Sequence, residues 1–148
     1  MLTKELLEEA AQYQDFISLQ LMQKLGWCLN QFASYKYQTQ FGESLSRIEI
    51  KNDKQMASTG NIYIELAEKA SNGLFVSSGI KRQDNTLLWL IGDYKTAYVF
   101  VKKQLSYLCD NYEKYGFKKV QTDTSIGIVI PISFFNEHDL FVVTKLYF

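Results

Sequence analysis

Apolar residues recur with a helical period at the start of the chain. From residue 4 to about residue 25 they return every three or four positions, which places them along one side of a helix. This stripe comprises Leu6, Ala10, Tyr13, Ile17, Leu21, Leu25 and Cys28. Thr3 is suited to cap the start of the helix, and Gly26 is suited to end it. The pattern therefore predicts an amphipathic N-terminal helix, with Cys28 in the core.

Further along, apolar and polar residues alternate with a period of two, which is typical of half-buried strands. Aromatic and polar residues alternate over Tyr35–Phe41, and Gly42–Ser44 follows as a turn. The same alternation returns in Arg47–Asp53 and in Asn61–Glu65, with a polar stretch between them. These last two segments predict a pair of antiparallel strands.

The second half of the chain contains further apolar runs separated by turn residues. The runs Leu87–Ile91 and Thr96–Val101 predict a hairpin through Gly92-Asp93. A helix is expected over residues 102–115, then strands over Ser125–Ile130 and over Leu140–Phe148. The order of helix, strands, helix and strands predicts one domain over residues 1–148, with a mixed α/β or α+β fold built on one central sheet.

Composition narrows the class of protein. The chain has 148 residues, and its 16 Lys and Arg balance its 16 Asp and Glu, so any basic surface must be local. No apolar run is long enough to predict a membrane span. Only two cysteines are present, which favours a reduced, cytoplasmic setting, and a single histidine argues against a multi-histidine zinc site.

The predicted strand pair brings acidic residues together. If Asp53 lies opposite Asn61, Lys51 lies opposite Tyr63 and Glu49 lies opposite Glu65. Like charges directly across a strand pair are unfavourable unless a cation compensates them, and Mg²⁺ prefers carboxylate oxygens and water. Such a cluster beside a lysine suits metal-assisted phosphodiester hydrolysis, with Glu43 as a further ligand. The alternative is a solvated strand face, since composition alone gives roughly one Glu-x-Lys by chance.

The same segment resembles a small phage or bacterial branch of the PD-(D/E)xK nuclease-like superfamily. The resemblance rests on Glu49-Ile50-Lys51 with Asp53, on Thr59-Gly60-Asn61 through Glu65, and on Ser78-Gly79-Ile80. Asp84-Asn85-Thr86 before the strand that carries Trp89 extends it, so that it covers about residues 42–105. It implies a restriction-endonuclease-like fold, with a mixed sheet flanked by an N-terminal helix and a later helix.

The resemblance also implies roles for individual residues. Glu49 would bind Mg²⁺ or Mn²⁺, and Lys51 would be the catalytic lysine. Asp53 and Glu65 would be catalytic residues and accessory metal ligands. Ser78, Gly79 and Lys81 would bind substrate. An outer acid would come from Glu8, Glu9 or Asp15 on the first helix.

One departure from the superfamily pattern leaves alternatives open. The superfamily normally has an Asp on the strand before Glu-x-Lys, and residues 29–48 contain none. Either Glu43 replaces it, or Asp53 and Glu65 form the acid pair with a lysine (Lys51 or Lys69), or the site is degenerate.

Two functional hypotheses follow. The first is a metal-dependent endonuclease of phage, mobile-element or defence type, which acts on nucleic acid, with DNA as the favoured substrate. Many enzymes of the resembled fold dimerise to place two sites on two strands, so a homodimer is compatible with this hypothesis. The second is an inactive module of the same fold that binds nucleic acid or a protein.

Overall fold

A computed structural model of the chain describes residues 3–30, 38, 40–42, 44 and 46–148. Within these residues the helices are α1 (Lys4–Leu25), α2 (Met56–Thr59), α3 (Lys102–Asp110), α4 (Tyr112–Tyr115) and α5 (Ile132–Glu137). The strands are β1 (Ile48–Asn52), β2 (Asn61–Lys69), β3 (Phe75–Ser77), β4 (Leu88–Gly92), β5 (Thr96–Val101), β6 (Lys118–Gln121), β7 (Ser125–Pro131) and β8 (Thr144–Tyr147). Short 3-10 turns cover Gly79–Lys81 and Asp139–Phe141.

The N-terminal helix begins and ends where its sequence predicts. The Thr3 side chain accepts a hydrogen bond from the Leu6 backbone N–H, and Gly26 ends the helix with a left-handed φ of 68°. The middle of the stripe is buried at Tyr13, Ile17 and Leu21. The prediction for Cys28 is wrong, because this residue lies beyond the helix end and is exposed.

The strands form two four-stranded sheets, and the mixed α+β class is confirmed. The first sheet has the order β1-β4-β5-β8, in which β1 runs parallel to β4 and the other pairs are antiparallel. The second sheet has the order β3-β2-β7-β6 and is antiparallel throughout. One central sheet was expected from the sequence, and the second sheet was not.

The first sheet lies in the middle of the molecule and is covered on both faces. On one face, Ile50 and Leu90 belong to a core shared with α1. On the other face, Trp89 and Ile91 belong to a core shared with the second sheet and α3. A strand buried on both faces needs apolar residues at every position, which explains why β4 is an unbroken apolar run.

The predicted hairpin of the two Ile-rich strands does not form. β1 pairs with β4, so that Glu49 lies opposite Trp89, whereas β2 belongs to the other sheet and places Glu65 opposite Gly127. The short helix α2 occupies the connection between β1 and β2. The expected register of Glu49 opposite Glu65 is therefore wrong.

The remaining predictions have mixed outcomes. The β4–β5 hairpin is confirmed, with Gly92 opposite Ala97, and the expected helix over residues 102–115 is present but divided at Asn111. The final strand begins later than expected, at Thr144, because a 3-10 turn precedes it. The predicted strand over residues 35–41 falls largely outside the described residues, and its described positions, 38, 40 and 41, are helical.

Candidate functional site

A cavity of about 870 Å³ opens where the end of β1 meets one face of the second sheet. We call the face of the second sheet that carries Tyr63, Glu65 and Val129 the outer face. The opposite, inner face carries Ile62 and Ile64 of the core. Leu6 from α1 and Trp89 from β4 also contribute to its lining. The cavity thus brings together residues that are distant in sequence.

Three of the residues predicted for the site line this cavity, namely Lys51, Asp53 and Glu65. They come from both sheets, and they meet although the hairpin that suggested their proximity does not exist. Four other candidates do not share this position, and a fifth cannot be placed. Glu49, Ser78, Gly79 and Lys81 are not part of the lining, and Glu43 lies outside the described residues.

The Asp53 carboxylate is held in place by two backbone donors. Its Oδ1 accepts from the Gln55 N–H at 3.1 Å, and its Oδ2 accepts from the Tyr63 N–H at 3.1 Å. The second bond connects the residue after β1 to β2, and therefore joins the two sheets beside the cavity. Each carboxylate oxygen has a further lone pair, so Asp53 remains able to bind a cation.

Glu65 lies at an irregularity in β2. The pairing register with β7 shifts between Glu65 and Ala67, which is a β-bulge, and bulges redirect side chains. The Ser78 hydroxyl donates to Glu65 Oε1 at 2.6 Å. Gly79 has a φ of 53° and packs so closely that a Cβ there would lie 2.4 Å from the Glu65 carbonyl oxygen. Ser78 and Gly79 therefore contact Glu65 and hold it in place, and neither residue is part of the cavity lining.

Lys51 is bonded to the glutamate of its own Glu-x-Lys motif. Its Nζ lies 2.7 Å from Glu49 Oε1, and the Glu49 side chain is only 6% exposed. The same Nζ lies 5.6 Å from the centroid of the Trp89 ring. The Lys51 side chain is 43% exposed and lines the cavity, and Glu49 orients its ammonium group.

Lys81 has a different environment from the one predicted. Its ammonium group pairs with Asp110 and donates to the Ser106 hydroxyl at 2.9 Å, which connects the 3-10 turn to α3. On the first helix, Glu8 pairs with Lys4, and Glu9 pairs with Lys54, a residue of the cavity rim. Glu9 is thus the member of the three helix acids that is tied to the cavity lining.

A hydroxyl-rich part of the cavity wall was not predicted from the sequence. The Tyr63 hydroxyl lies 2.7 Å from the Ser125 hydroxyl, which in turn lies 3.2 Å from the hydroxyl of Thr122. Burial raises the pKa of Tyr63, and the hydrogen bond with Ser125 offsets part of that rise. Its ring lies over Gly127, where a Cβ would be 2.3 Å from the ring. A glycine inside an apolar strand was the signal that could have revealed this close approach.

Trp89 was noted only as part of the resemblance, and it lies at the base of the cavity. The residue is 2% exposed, and its indole N–H is buried without a hydrogen-bond acceptor among the described residues. An indole N–H can only donate, so this group is a buried donor without an acceptor among the described residues.

The cavity offers few oxygen ligands to a hard cation such as Mg²⁺. Within the described ranges, no group of three or more His, Cys, Asp or Glu side chains is arranged to hold a metal ion. Asp53 and Glu65 nevertheless supply carboxylate oxygens to one cavity, and Mg²⁺ commonly uses one or two carboxylates and keeps several waters.

Among the residues that the structure describes, no helix has the length and apolar character needed to cross a membrane.

Comparisons of the chain with protein-family models, with curated proteins and with solved structures find no match. The charged residues of the cavity that bear most directly on its chemistry are Lys51, Asp53 and Glu65.

Proposed function

We propose that the chain is a metal-dependent nuclease of PD-(D/E)xK type that hydrolyses phosphodiester bonds of DNA in this cavity. One observation carries the proposal: a lysine and two carboxylates, Lys51, Asp53 and Glu65, come from two separate sheets to line one open cavity. A cytoplasmic location and a phage, mobile-element or defence origin belong to the same proposal.

Two carboxylates would bind the cation in this proposal. Asp53 and Glu65 would bind Mg²⁺ or Mn²⁺, and both are already fixed, by the backbone N–H of Tyr63 and by the hydroxyl of Ser78 respectively. The bound cation would supply electrostatic stabilisation of the phosphate and a lowered pKa of its bound water. Ligands fixed before binding lose little conformational entropy when the cation arrives.

Lys51 acts on the substrate in this proposal. Its ammonium group, held by Glu49 at 2.7 Å, carries a positive charge that would attract a phosphate oxygen or orient the attacking water. The resemblance assigns Glu49 to the metal, whereas in this proposal Glu49 positions Lys51 through their ion pair.

The alternative is a non-catalytic module that binds nucleic acid or a protein partner. It is favoured by the ion pair of Lys51 with Glu49 and by the absence, among residues 46–148 and the other described positions, of a group of three potential metal ligands. Under this alternative the cavity recognises a partner without a bound cation.

The test compares matched variants of the site. Glu65→Gln and Lys51→Met alter the two kinds of group, while Glu68→Gln on the same strand and Lys103→Met on α3 change exposed residues outside the cavity lining. Plasmid cleavage is measured with Mg²⁺ and with Mn²⁺, and cation binding is measured by calorimetry.

The nuclease proposal predicts that both site variants lose cleavage by roughly a hundredfold or more, while both controls stay within about twofold of the wild type. Cation binding should weaken in Glu65→Gln and persist in Lys51→Met. Wild-type protein that neither binds the cations nor cleaves DNA would overturn the proposal and favour the binding module.

A further inference from the structure

The outer face of the second sheet continues beyond the cavity onto strand β6. In an antiparallel pair, residues directly opposite each other project from the same face of the sheet. Tyr63 of β2 lies opposite Val129 of β7, and Val129 lies opposite Lys118 of β6. These three residues form one row across the outer face, and Lys118 is its end.

A second row runs beside the first. It consists of Glu65, Gly127 and Val120, in the same order across β2, β7 and β6. Gly127 carries no side chain, and the Tyr63 ring lies across its position with the hydroxyl bonded to Ser125. The Tyr63 ring therefore covers the middle of the outer face, between Glu65 and Lys118.

Lys118 and its neighbour Lys119 are both exposed, but they differ in direction. Lys118 lies opposite Val129 of the cavity wall, whereas Lys119 lies opposite Ile128 of the buried core and so projects from the other face. The ion pairs that join described residues involve neither lysine. The outer face thus ends in an ammonium group that forms no ion pair with an acid among the described residues.

The distance suits a nucleic-acid strand. Lys118 is two strand spacings from Tyr63, about 10 Å, and Glu65 is two residues further along β2, about 7 Å. The resulting separation of about 12 Å between the two backbone positions is several times the 3.4 Å rise per nucleotide of a duplex strand, so Lys118 would meet a different phosphate from the one at the cavity.

We propose that Lys118 binds a phosphate of the substrate strand away from the bond at the cavity, with the strand lying across Tyr63. This inference rests on the proposed function, because it takes the substrate to be a nucleic acid. It assigns to β6 the role of a substrate-binding strand.

The experiment measures binding without cleavage. A fluorescein-labelled single-stranded DNA oligonucleotide and its duplex are titrated with wild type, Lys118→Ala and Lys119→Ala in EDTA, over a series of salt concentrations. Circular dichroism confirms that the variants fold. Lys119→Ala is the matched control, because it removes the same charge from the adjacent position on the opposite face.

We expect Lys118→Ala to weaken binding roughly three- to tenfold and to reduce the slope of log affinity against log salt by about 0.7 to 0.9, the amount of one phosphate contact. Lys119→Ala should bind as the wild type does. Equal behaviour of the two variants, or wild-type binding by Lys118→Ala with both probes, would overturn the inference.

The two proposals can fail separately. Position-specific loss in Lys118→Ala without any metal-dependent cleavage would support the binding surface and contradict the nuclease. Cleavage by the wild type that is unaffected in Lys118→Ala, together with unchanged binding, would contradict the binding surface alone.

Discussion

The Ser78 hydroxyl donates a hydrogen bond of 2.6 Å to the carboxylate of Glu65, and Ser78 itself is 1% exposed. The bond joins the segment after β3 to the bulge of β2, at the edge of the cavity. The resemblance implied that Ser78 binds substrate. The hydrogen bond instead suggests that Ser78 acts on the cavity by orienting Glu65.

Ser78→Ala tests this role. The Glu65 carboxylate loses a buried donor, so cation affinity should fall roughly tenfold to a hundredfold, as for other residues that orient a ligand. The free energy of unfolding should fall by about 1.5–3 kcal/mol, the range for a hydrogen bond to a charged group. Calorimetry and urea denaturation measure the two effects. Ser77→Ala, an exposed neighbour on β3, is the control, and equal cation binding by both variants would contradict the role.

The buried pair of Lys102 and Asp84 makes stability depend on pH. Burial alone would raise the pKa of Asp84, but hydrogen bonds from the Lys102 ammonium and from Thr86 outweigh it and hold that pKa below its ordinary value. A lowered folded-state pKa stabilises the protein above the pKa of the unfolded chain, about 3.9, and this contribution is lost as the pH falls through the lower, folded-state value.

Asp84→Asn should therefore be less stable than the wild type near neutral pH, by about 1–3 kcal/mol, and the difference should shrink below about pH 4. Urea denaturation across this pH range measures it. Asp123→Asn, in the exposed β6–β7 turn, should follow the wild type throughout. A constant difference between Asp84→Asn and wild type at every pH would refute the assignment.

Gly127→Ala should disturb the outer face. The new methyl group would lie 2.3 Å from the Tyr63 ring, so the ring must move and its bond with Ser125 must break. We expect a loss of about 1–3 kcal/mol in the free energy of unfolding, as for overpacking elsewhere. Tyr63→Ala removes the obstacle, so the double variant should be less destabilised than the sum of the single variants. Additive losses would show that the two residues do not interact.

Local patterns in the sequence predicted the elements better than their partners. The capped apolar stripe gave α1 from Lys4 to Leu25, and the turn at Gly92 gave the β4–β5 hairpin, because caps and tight turns depend on neighbouring residues. Alternation in β1 and β2 correctly indicated strands, but it carries no information about which strand lies alongside.

The candidate site was predicted for a reason that is only partly correct. Lys51, Asp53 and Glu65 line one cavity, yet the hairpin used to bring them together is absent. Their meeting depends on the Asp53–Tyr63 bond and on sheet packing, which are long-range contacts. The position of Lys118 on the outer face could likewise not be predicted from the sequence, because it depends on the register of β6 against β7.

The parallel pairing of β1 with β4 has a consequence for how the chain acquires its cavity. Ile48 must find Leu88, and Asn61 must find Pro131, so each wall requires closure of a long loop before its contacts can form. During synthesis on the ribosome, from the N-terminus onward, the cavity cannot be complete until β7 has emerged. A nascent chain therefore lacks the complete cavity until β7 has been made, and the topology sets the order in which the two walls can form.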